Sequence, residues 1–334
     1  MQRFQLNGKK FVPVGFNAYW LGYTEEYTYP SQVQVTEIFK AAAEMGATVI
    51  RSHTLGFSTG TAKSLRPSNN NLNSAAWEPI DYAFYQASVY GIKLICPLTD
   101  AYNWYHGNYG DFCKTRGVSK SKFWTDKNVR NDFKRYIFDW LNHVNSFTGV
   151  AIKNSPELFI IELGNELGDL SVQHGSTTLP TKEWIADISS YIKTIDSKHL
   201  VMSGSDRCLG SKTSADFDVK SIDVFSSHFY ETSYTRVDYG ANRALSFGKP
   251  FIIGEYGSSF TQSWLRQIEK RRNVKGIAFW SMYPHNNGLP SGKRIPHNDG
   301  WTIWYDAGSK SQLIVLSNHF RRMRGLPTVQ SLHF

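Results

Sequence analysis

The stretch LFIIELGNE at residues 158–166 is an apolar run of strand length that ends in polar and acidic residues. A second stretch, FIIGEYG at residues 251–257, has the same form. Continuous apolar runs of this length are typical of parallel strands that are buried on both faces. A buried strand rarely ends in an unpaired carboxylate. The two stretches therefore predict buried parallel strands whose carboxyl ends carry acidic groups with a function.

Six further runs of strand length accompany these two, and segments of helical period separate them. Strand–helix alternation repeated about eight times implies right-handed βαβ units and a parallel sheet that closes into a barrel. An open doubly wound sheet is the main alternative, but it normally carries a glycine-rich turn after its first strand, and GFNAY at residues 15–19 is not such a turn. We therefore predict a (β/α)8 TIM barrel, preceded by a short β-ribbon around Phe4–Val12. The predicted strands are Val14–Ala18, Thr48–His53, Lys93–Leu98, Leu158–Leu163, His199–Ser203, Val224–Tyr230, Phe251–Glu255 and Gly276–Met282.

The predicted helices carry local signals of their own. Ser31 followed by Gln34 is a capping-box pattern at the start of the first helix. In the third helix, apolar side chains recur at spacings of three and four, which indicates one buried stripe: Val129, Phe133, Tyr136, Ile137, Trp140, Leu141 and Val144. The predicted helices are Gln32–Met45, Ala75–Tyr90, Val129–Phe147, Lys182–Asp196, Tyr234–Phe247, Gln262–Arg272 and Lys310–Arg324.

Three long segments, Ser58–Ser74, Tyr102–Thr125 and His285–Asp306, follow strands and have no regular pattern. In a barrel such βα loops lie at the face that carries the active site. No repeat, low-complexity tract or linker divides the chain, so we expect residues 1–334 to form a single domain.

Composition excludes several classes of protein. The 334 residues are 41% hydrophobic and 19% charged, which suits a large globular core. The net charge is +9, but the densest basic runs, at 270–272 and 321–324, lie near predicted helix ends, where cations suit the helix dipole. We therefore expect no nucleic-acid partner. No apolar run approaches the ~18 residues of a membrane helix, so we expect no membrane partner either.

Cysteine usage indicates neither a metal centre nor a disulfide scaffold. Cys96, Cys113 and Cys208 are an odd number, form no CxxC pair and have no ligand-like His spacing. We expect a monomer that needs no metal and no cofactor. The compartment stays open between the cytoplasm and secretion with a leader that this sequence does not contain.

Two carboxylates occupy the predicted ends of strands four and seven, which lie across the barrel from each other. Their side chains, Glu166 and Glu255, can converge over the barrel mouth. Paired carboxylates about 5–5.5 Å apart are typical of a retaining glycosidase, whereas a gap of roughly 6.5–9.5 Å leaves room for water and inversion. The pair therefore indicates glycoside hydrolysis.

Such a pair needs one protonated and one ionised member, so the surroundings of the two must differ. Arg51 ends strand two and Tyr230 ends strand six, and donation from both favours Glu255 as the ionised nucleophile. Glu166 is then the general acid and base. Asn165 beside it can donate to a sugar 2-hydroxyl, an interaction that strengthens in an oxocarbenium-like transition state.

Together these residues resemble glycoside hydrolase family 5, and within it the β-mannanase subgroup. The resemblance rests on Asn165-Glu166, His228-Phe229-Tyr230, Glu255, Trp280 and Arg51, and it extends over nearly the whole chain. It implies hydrolysis of β-1,4-mannosidic bonds in mannans and mannooligosaccharides by an endo-β-1,4-mannanase, with possible transglycosylation.

The resemblance also implies further substrate-binding residues. His228 would orient and charge-tune the carboxylate pair. Trp280 would form the floor beneath the sugar that is cleaved. Trp104, on the loop after strand three, matches an aromatic platform of the mannanases, although the preceding residues 99–102 read TDAY where the subgroup more often has paired Asn.

The chain departs from the subgroup just after the proposed acid/base residue. Mannanases commonly continue with Pro and Arg, whereas this chain continues with Leu167-Gly168-Asp169. An exo-acting β-mannosidase and a β-1,4-glucanase of the same family therefore stay open as alternatives. A barrel that binds carbohydrate without cleaving it is a third, although both carboxylates are intact.

Other polar and aromatic residues near the strand ends have plainer interpretations. Glu162 shares the strand parity of Glu166 and is expected to satisfy a buried network inside the barrel. His53 is either a pocket wall or a packing residue. Trp301, Tyr19 and Trp20 are candidates for the cleft wall.

Overall fold

The computed structural model describes residues 3–56, 61–68, 72–167, 179–204, 218–231, 233–257, 260–285, 297 and 299–333. At its centre lies a sheet of eight strands, all paired in parallel. The strands are β1 (Val14–Asn17), β2 (Val49–Arg51), β3 (Lys93–Pro97), β4 (Leu158–Glu162), β5 (Leu200–Met202), β6 (Phe225–Phe229), β7 (Phe251–Tyr256) and β8 (Val274–Phe279).

The sheet closes on itself. Its strand order is β5-β4-β3-β2-β1-β8-β7-β6, and a parallel bridge between Met202 and Val224 joins the two outer strands. The amide N–H of Asp223 also donates to the carbonyl oxygen of Val201 at 2.8 Å. Eight parallel strands with this closure form a (β/α)8 barrel. The predicted fold class is therefore confirmed.

Helices surround the barrel and follow its strands. They are α1 (Gln32–Met45), α2 (Trp77–Tyr90), α3 (Gly110–Lys114), α4 (Lys127–Asn142), α5 (Lys182–Ile195), α6 (Tyr234–Ser246), α7 (Gln262–Glu269) and α8 (Lys310–Arg324). The predicted capping box at α1 is present, because Ser31 and Gln34 bond each other's backbone N–H reciprocally. Within the described residues, no helix is both apolar enough and long enough to span a bilayer.

The N-terminal ribbon closes the bottom of the barrel. Strands Gln5–Leu6 and Lys9–Lys10 form a short antiparallel hairpin, as predicted. Phe4, which precedes the hairpin, is 5% exposed and packs with interior barrel side chains such as Ile95 and Ile160. The ribbon therefore excludes water from the end of the barrel opposite the loops that follow the strands.

The end of α4 differs from the prediction. The helix stops at Asn142, and Val144, which was assigned to the buried stripe, is 55% exposed. Asp81 on α2 explains the difference, because its carboxylate accepts from His143 Nε2 at 2.7 Å and from the Ser146 N–H at 2.8 Å. These bonds draw the chain out of the helical path.

Several other bounds were wrong by one to three residues, among them the end of β2 at Arg51, the end of β8 at Phe279 and the start of α2 at Trp77. Helix α7 ends at Glu269 rather than at residue 272, and β8 begins at Val274 rather than at residue 276. Cys96 and Cys113 are buried free thiols, and Cys208 lies outside the described residues.

Glu269 links α7 to α8 through bonds that depend on its charge. It accepts from His319 Nδ1 at 2.9 Å and from two nitrogens of Arg322 at 2.8 and 2.9 Å. Burial raises the pKa of Glu269, but the bonds from His319 and Arg322 outweigh burial and lower this pKa to about 2. The stabilisation is therefore present above the unfolded pKa near 4.5 and is lost as the pH falls towards 2.

We expect Glu269→Gln to lower the free energy of unfolding by about 1–3 kcal/mol at pH 7, because it removes an ionised partner from a largely buried network. The difference from wild type should shrink as the pH falls from about 4.5 to 2. Urea unfolding across this pH range measures it, with the exposed Glu183→Gln on α5 as the matched control. A difference that is independent of pH would contradict the electrostatic origin of this stabilisation.

Candidate active site

The two predicted carboxylates meet at the carboxyl ends of the barrel strands. Glu255 lies in β7, and Glu166 follows β4 by four residues. One oxygen of each and a ring nitrogen of His228, which lies in β6, are all within 4.8 Å of one another. The exposed fractions of Glu166 and Glu255 are 7% and 3%. Two acidic groups that are 89 residues apart in the sequence therefore share one small, nearly dry site.

Arg51, at the end of β2, lies under this pair with no solvent exposure. Its Nε and Nη2 donate to the two oxygens of Glu162 at 2.8 and 2.9 Å, and its Nη1 donates to Glu255 Oε1 at 2.7 Å. Burial alone lowers the pKa of Arg51, but the charges of Glu162 and Glu255 outweigh burial and raise it. The guanidinium therefore keeps its charge, and Glu162 forms the buried network that the sequence predicts.

Glu255 receives donors on both of its oxygens. Arg51 bonds Oε1, and the hydroxyl of Tyr230 donates to Oε2 at 2.6 Å. Burial and the charge of Glu255 raise the pKa of Tyr230 well above its usual range, so the phenol stays a donor. Hydrogen bonds of this kind stabilise the ionised form of a carboxylate. The surroundings of Glu255 therefore match the charged member of the predicted pair.

Glu166 has a different set of partners. Its Oε1 lies 2.5 Å from His228 Nδ1, and its Oε2 accepts a hydrogen bond from the hydroxyl of Tyr102. The backbone of Glu166 is left-handed, with φ of 50°, which is rare for a residue with a Cβ and is concentrated at functional sites. No arginine bonds Glu166 among the described residues. Its surroundings therefore differ from those of Glu255 in charge as well as in geometry.

Sequence reasoning missed Tyr102 as a partner of Glu166. The available signal was its position on the loop after β3, two residues before the predicted platform Trp104. The structure brings these two rings together, nearly parallel at an interplanar angle of 17° and with centroids 5.9 Å apart. Trp104 is 57% exposed, so an aromatic surface leads from solvent to Glu166.

His228 lies between the two carboxylates. Its Nδ1 is 2.5 Å from Glu166 Oε1 and 3.4 Å from Glu255 Oε2. Burial lowers the pKa of His228, but the charges of Glu255 and Glu166 outweigh burial and raise it to about 9. His228 is therefore an imidazolium at neutral pH, which agrees with the charge-tuning position predicted for it.

Asn165 and Asp100 join the ends of β3 and β4. Asn165 Oδ1 accepts from Arg51 Nη2 at 2.8 Å, and its Nδ2 donates to Asp100 Oδ1 at 3.2 Å. Asp100 also faces His106 Nε2 at 3.0 Å and His53 Nδ1 at 3.4 Å. Sequence reasoning did not single out Asp100 or His106. His53 is buried against both this group and the ring of Trp280, so it serves as packing and as pocket wall.

Two groups have the composition of a metal site, His53–Asp100–His106 and Glu166–His228–Glu255. In the His53–Asp100–His106 group, His53 Nε2 accepts from Arg51 Nη1 at 2.8 Å. Burial and the charge of Arg51 lower the pKa of His53 far below its usual range, so the ring is neutral and its proton lies on Nδ1, towards Asp100. In the Glu166–His228–Glu255 group, Nδ1 of His228 is protonated as well. In this structure His53 and His228 therefore hydrogen-bond to Arg51 and Glu166, respectively.

The predicted aromatic residues divide into cleft and core. Trp280, just after β8, is partly buried and stacks on Tyr19 with centroids 5.0 Å apart and an interplanar angle of 10°. Trp301 is 41% exposed and packs against the ring of Tyr230 at 5.1 Å. Trp20 is fully buried, so it belongs to the core and not to the cleft wall.

We expect the ring of His228 to titrate near pH 9 in an NMR titration, because both carboxylates stabilise its charged form. This stabilisation is complete below the ordinary pKa of 6.5 and is lost as the pH rises through about 9. Glu255→Gln should lower the midpoint by about one to two units, while Glu183→Gln should leave it in place. An unchanged midpoint in Glu255→Gln would show that the charge of Glu255 does not act on His228.

Comparison with known proteins connects this geometry to a family. The family described as "GH family 5 beta-mannosidase-like" matches residues 81–247, which is half of the chain. The putative mannan endo-1,4-beta-mannosidase P of Arabidopsis thaliana is 32% identical over 296 residues, which cover 76% of this chain and 71% of that protein. Mannan endo-1,4-beta-mannosidase 3 of the same plant is 31% identical over a region that covers 76% of this chain and 70% of that protein.

A solved structure supports the same assignment over nearly the whole length. The endo-1,4-beta-mannanase of Rhizomucor miehei superimposes with a TM-score of 0.80 at 26% identity, covering 97% of this chain and 98% of that one. The endo-beta-1,4-mannanase of Thermotoga petrophila shares the fold at 22% identity, with a TM-score of 0.79. The chain therefore belongs to glycoside hydrolase family 5, as the sequence resemblance predicts.

Proposed function

We propose that this protein is a retaining endo-β-1,4-mannanase that hydrolyses β-1,4-mannosidic bonds in mannans and mannooligosaccharides. The observation that carries the proposal is the pair of buried carboxylates, Glu166 and Glu255, with oxygens within 4.8 Å and with unlike donors. Oxygens this close favour the narrow carboxylate pair of a retaining enzyme over the wider pair of an inverting one. Residues 1–334 act in this proposal as one catalytic domain, as a monomer and without a metal or cofactor.

Similarity supports the choice of substrate. The relatives covered over two thirds of their length are named mannan endo-1,4-β-mannosidases. The rings of Trp104, Trp280 and Trp301 around the carboxylate pair are suited to the flat apolar faces of pyranose rings. We assign Trp280 to the sugar that is cleaved and Trp104 to the leaving side, because Trp104 stacks on Tyr102, a partner of Glu166.

In the first step, an oxygen of Glu255 attacks the anomeric carbon of the sugar. The bond from this carbon to the glycosidic oxygen breaks, and Glu166 transfers its proton to that leaving oxygen. His228 Nδ1 lies 2.5 Å from Glu166 Oε1, so the imidazolium can pass its proton to this carboxylate, and Glu166 then delivers that proton to the leaving oxygen. Arg51 and Tyr230 hold Glu255 ionised and in position until the bond to carbon forms.

In the second step, Glu166 acts as a base. It removes a proton from water, the water oxygen bonds to the anomeric carbon, and the bond from carbon to Glu255 breaks. The product keeps the configuration of the substrate because each step inverts it once. A sugar hydroxyl in place of water gives transglycosylation by the same bond changes.

Asn165 is the proposed contact for the 2-hydroxyl, whose configuration distinguishes mannose from glucose. One N–H of its amide donates to Asp100, and we assign the other to the sugar. Arg51 fixes the amide, because its Nη2 donates to Asn165 Oδ1. The names of the relatives favour a mannanase over the alternative of a β-1,4-glucanase.

The chain after Glu166 bears on the alternative of an exo-acting β-mannosidase. Leu167, which stands where mannanases commonly have Pro, is fully buried, and Gly168 and Asp169 lie outside the described residues. Gly168 stands where the subgroup has Arg, and glycine has no side chain to make that leaving-side contact. The exposed ring of Trp104 supplies an apolar surface on this side, which favours internal cutting of a polymer.

We expect Glu166→Gln and Glu255→Gln each to lower turnover of mannohexaose by about 10³-fold or more, because each removes a group that moves a proton or forms a bond. Reducing-sugar release measures the rate, with the exposed Glu183→Gln as the matched control. NMR of the earliest product should show the β-anomer. Near-normal turnover of either glutamine variant would overturn the assigned roles, and an α-anomer would overturn retention.

A time course on mannohexaose and cellohexaose tests substrate and cutting mode together. We expect faster cleavage of the mannan oligomer and several product sizes at once, because the cleft accepts sugars on both sides of the carboxylate pair. Mannose as the first and sole early product would replace the endo assignment by an exo-acting mannosidase. No release from either oligomer under conditions where the protein binds them would favour a non-catalytic barrel.

A further inference from the structure

The carboxylate of Asp299 lies at the edge of the indole of Trp280. Nε1 of Trp280 donates to Asp299 Oδ2 at 2.9 Å, while one face of the indole stacks on Tyr19 at 5.0 Å. A ring held both at its edge and on one face has no remaining freedom to rotate. These contacts fix the orientation of the indole, and Trp280 is only partly buried, so part of the ring stays open to a sugar.

Asp299 is itself fixed by the chain that follows it. Its Oδ1 accepts from the backbone N–H groups of Trp301 and Thr302 at 2.8 and 2.7 Å, and its Oδ2 accepts from the Thr302 hydroxyl at 2.8 Å. This is the side-chain-to-backbone turn that Asp characteristically forms. The hydroxyls of Thr302 and Ser281 are 2.6 Å apart, so the turn is also tied to the residue after Trp280.

The same turn positions a second aromatic ring, that of Trp301. This ring packs edge-on against Tyr230 at 5.1 Å, with an interplanar angle of 64°. It also covers Gly257, where a Cβ would lie 2.5 Å from Trp301 Cδ1. Because Tyr230 donates to Glu255, the turn at Asp299 supports the carboxylate pair as well as Trp280.

His297 extends this arrangement to the loop after β1. Its Nε2 is 3.2 Å from Asp299 Oδ2, and its Nδ1 is 2.8 Å from Glu25 Oε2. The hydroxyl of Tyr19 lies 3.0 Å from His297 Nδ1, so the residue that stacks on Trp280 is held by the same group. Burial lowers the pKa of His297, but the hydrogen bonds that its ring donates to Asp299 and Glu25 outweigh burial and raise this pKa to about 9.

We propose that Asp299 is a positioning residue for glycoside cleavage, which through one carboxylate aligns Trp280 beneath the sugar and Trp301 against the Tyr230–Glu255 pair. Asp299 does not touch the reacting atoms. It acts through the two rings, whose placement sets the sugar against the nucleophile. This inference rests on the proposed function, because it assigns the rings to the sugar and to the nucleophile of that reaction.

Asp299→Asn is the decisive variant. The amide oxygen of Asn can still accept from the two backbone N–H groups, but its NH₂ would face the N–H of Trp280. We expect kcat/KM on mannohexaose to fall about 10- to 100-fold, because small misplacements at a reacting centre have effects of this size. The indole N–H resonance of Trp280, assigned by its loss in Trp280→Phe, should move upfield.

Asp306→Asn is the matched control, because Asp306 also caps a turn on this loop, by accepting from the Ser309 N–H at 3.1 Å. It should leave the Trp280 resonance in place and kcat/KM within about twofold of wild type. Trp301→Leu separates the effect of Asp299 on Trp301 from its effect on Trp280. It should lower kcat while leaving the Trp280 resonance unmoved.

The outcomes distinguish this proposal from the proposed function. Wild-type kcat/KM in Asp299→Asn, or lost activity with an unmoved Trp280 resonance, overturns the positioning role. An equal loss of activity in Asp306→Asn also overturns it, because the effect would then be general to the loop. A wild-type protein without activity on mannohexaose overturns the proposed function instead, and the Trp280 resonance in Asp299→Asn still decides whether Asp299 fixes the indole.

Discussion

A guanidinium with no access to water needs protein partners for its charge and for its N–H groups, because leaving them unpaired costs several kcal/mol. Arg51 is such a group, and its partners lie at or just beyond the ends of three other strands, β1, β4 and β7. Glu162 takes two of its N–H groups, Glu255 takes one, and Asn165 and Asn17 accept the others. The need to satisfy one buried cation therefore fixes the positions of the residues that surround the site.

The sequence was sufficient for the fold and for the positions of the carboxylates. Apolar runs such as residues 251–257 predict buried parallel strands, and in a barrel the carboxyl ends of such strands meet at one mouth. This reasoning placed Glu166 and Glu255 together and assigned Glu162 to a buried network, because strand alternation is regular. Strand parity and barrel closure are global constraints that do not depend on the details of any loop.

Contacts made by loops were not predictable in the same way. Tyr102 and Asp299 have no strand parity or helical period to place them, and each reaches its partner through the path of a loop. Val144 continued a regular helical stripe in the sequence, yet Asp81 on another helix draws the chain out of the helix before that position. In each case the contact involves a side chain that is distant in the sequence. A local sequence pattern holds no information about such a contact.

The two carboxylates differ in their surroundings because each has a different cationic neighbour, Arg51 beside Glu255 and His228 beside Glu166. Glu162 accepts from Arg51 through both of its oxygens. This two-fold ion pair neutralises most of the guanidinium charge, and Glu255 accepts one further bond from the same group. Glu255 therefore accepts one bond from Arg51 and one from Tyr230 instead of a two-fold Arg bond, which in the proposed mechanism leaves its oxygens more reactive towards carbon. Glu166 contacts no arginine among the described residues, and its charged neighbour is His228, whose proton can be transferred. A fixed charge beside one carboxylate and a mobile proton beside the other is the asymmetry that a nucleophile and an acid/base group require.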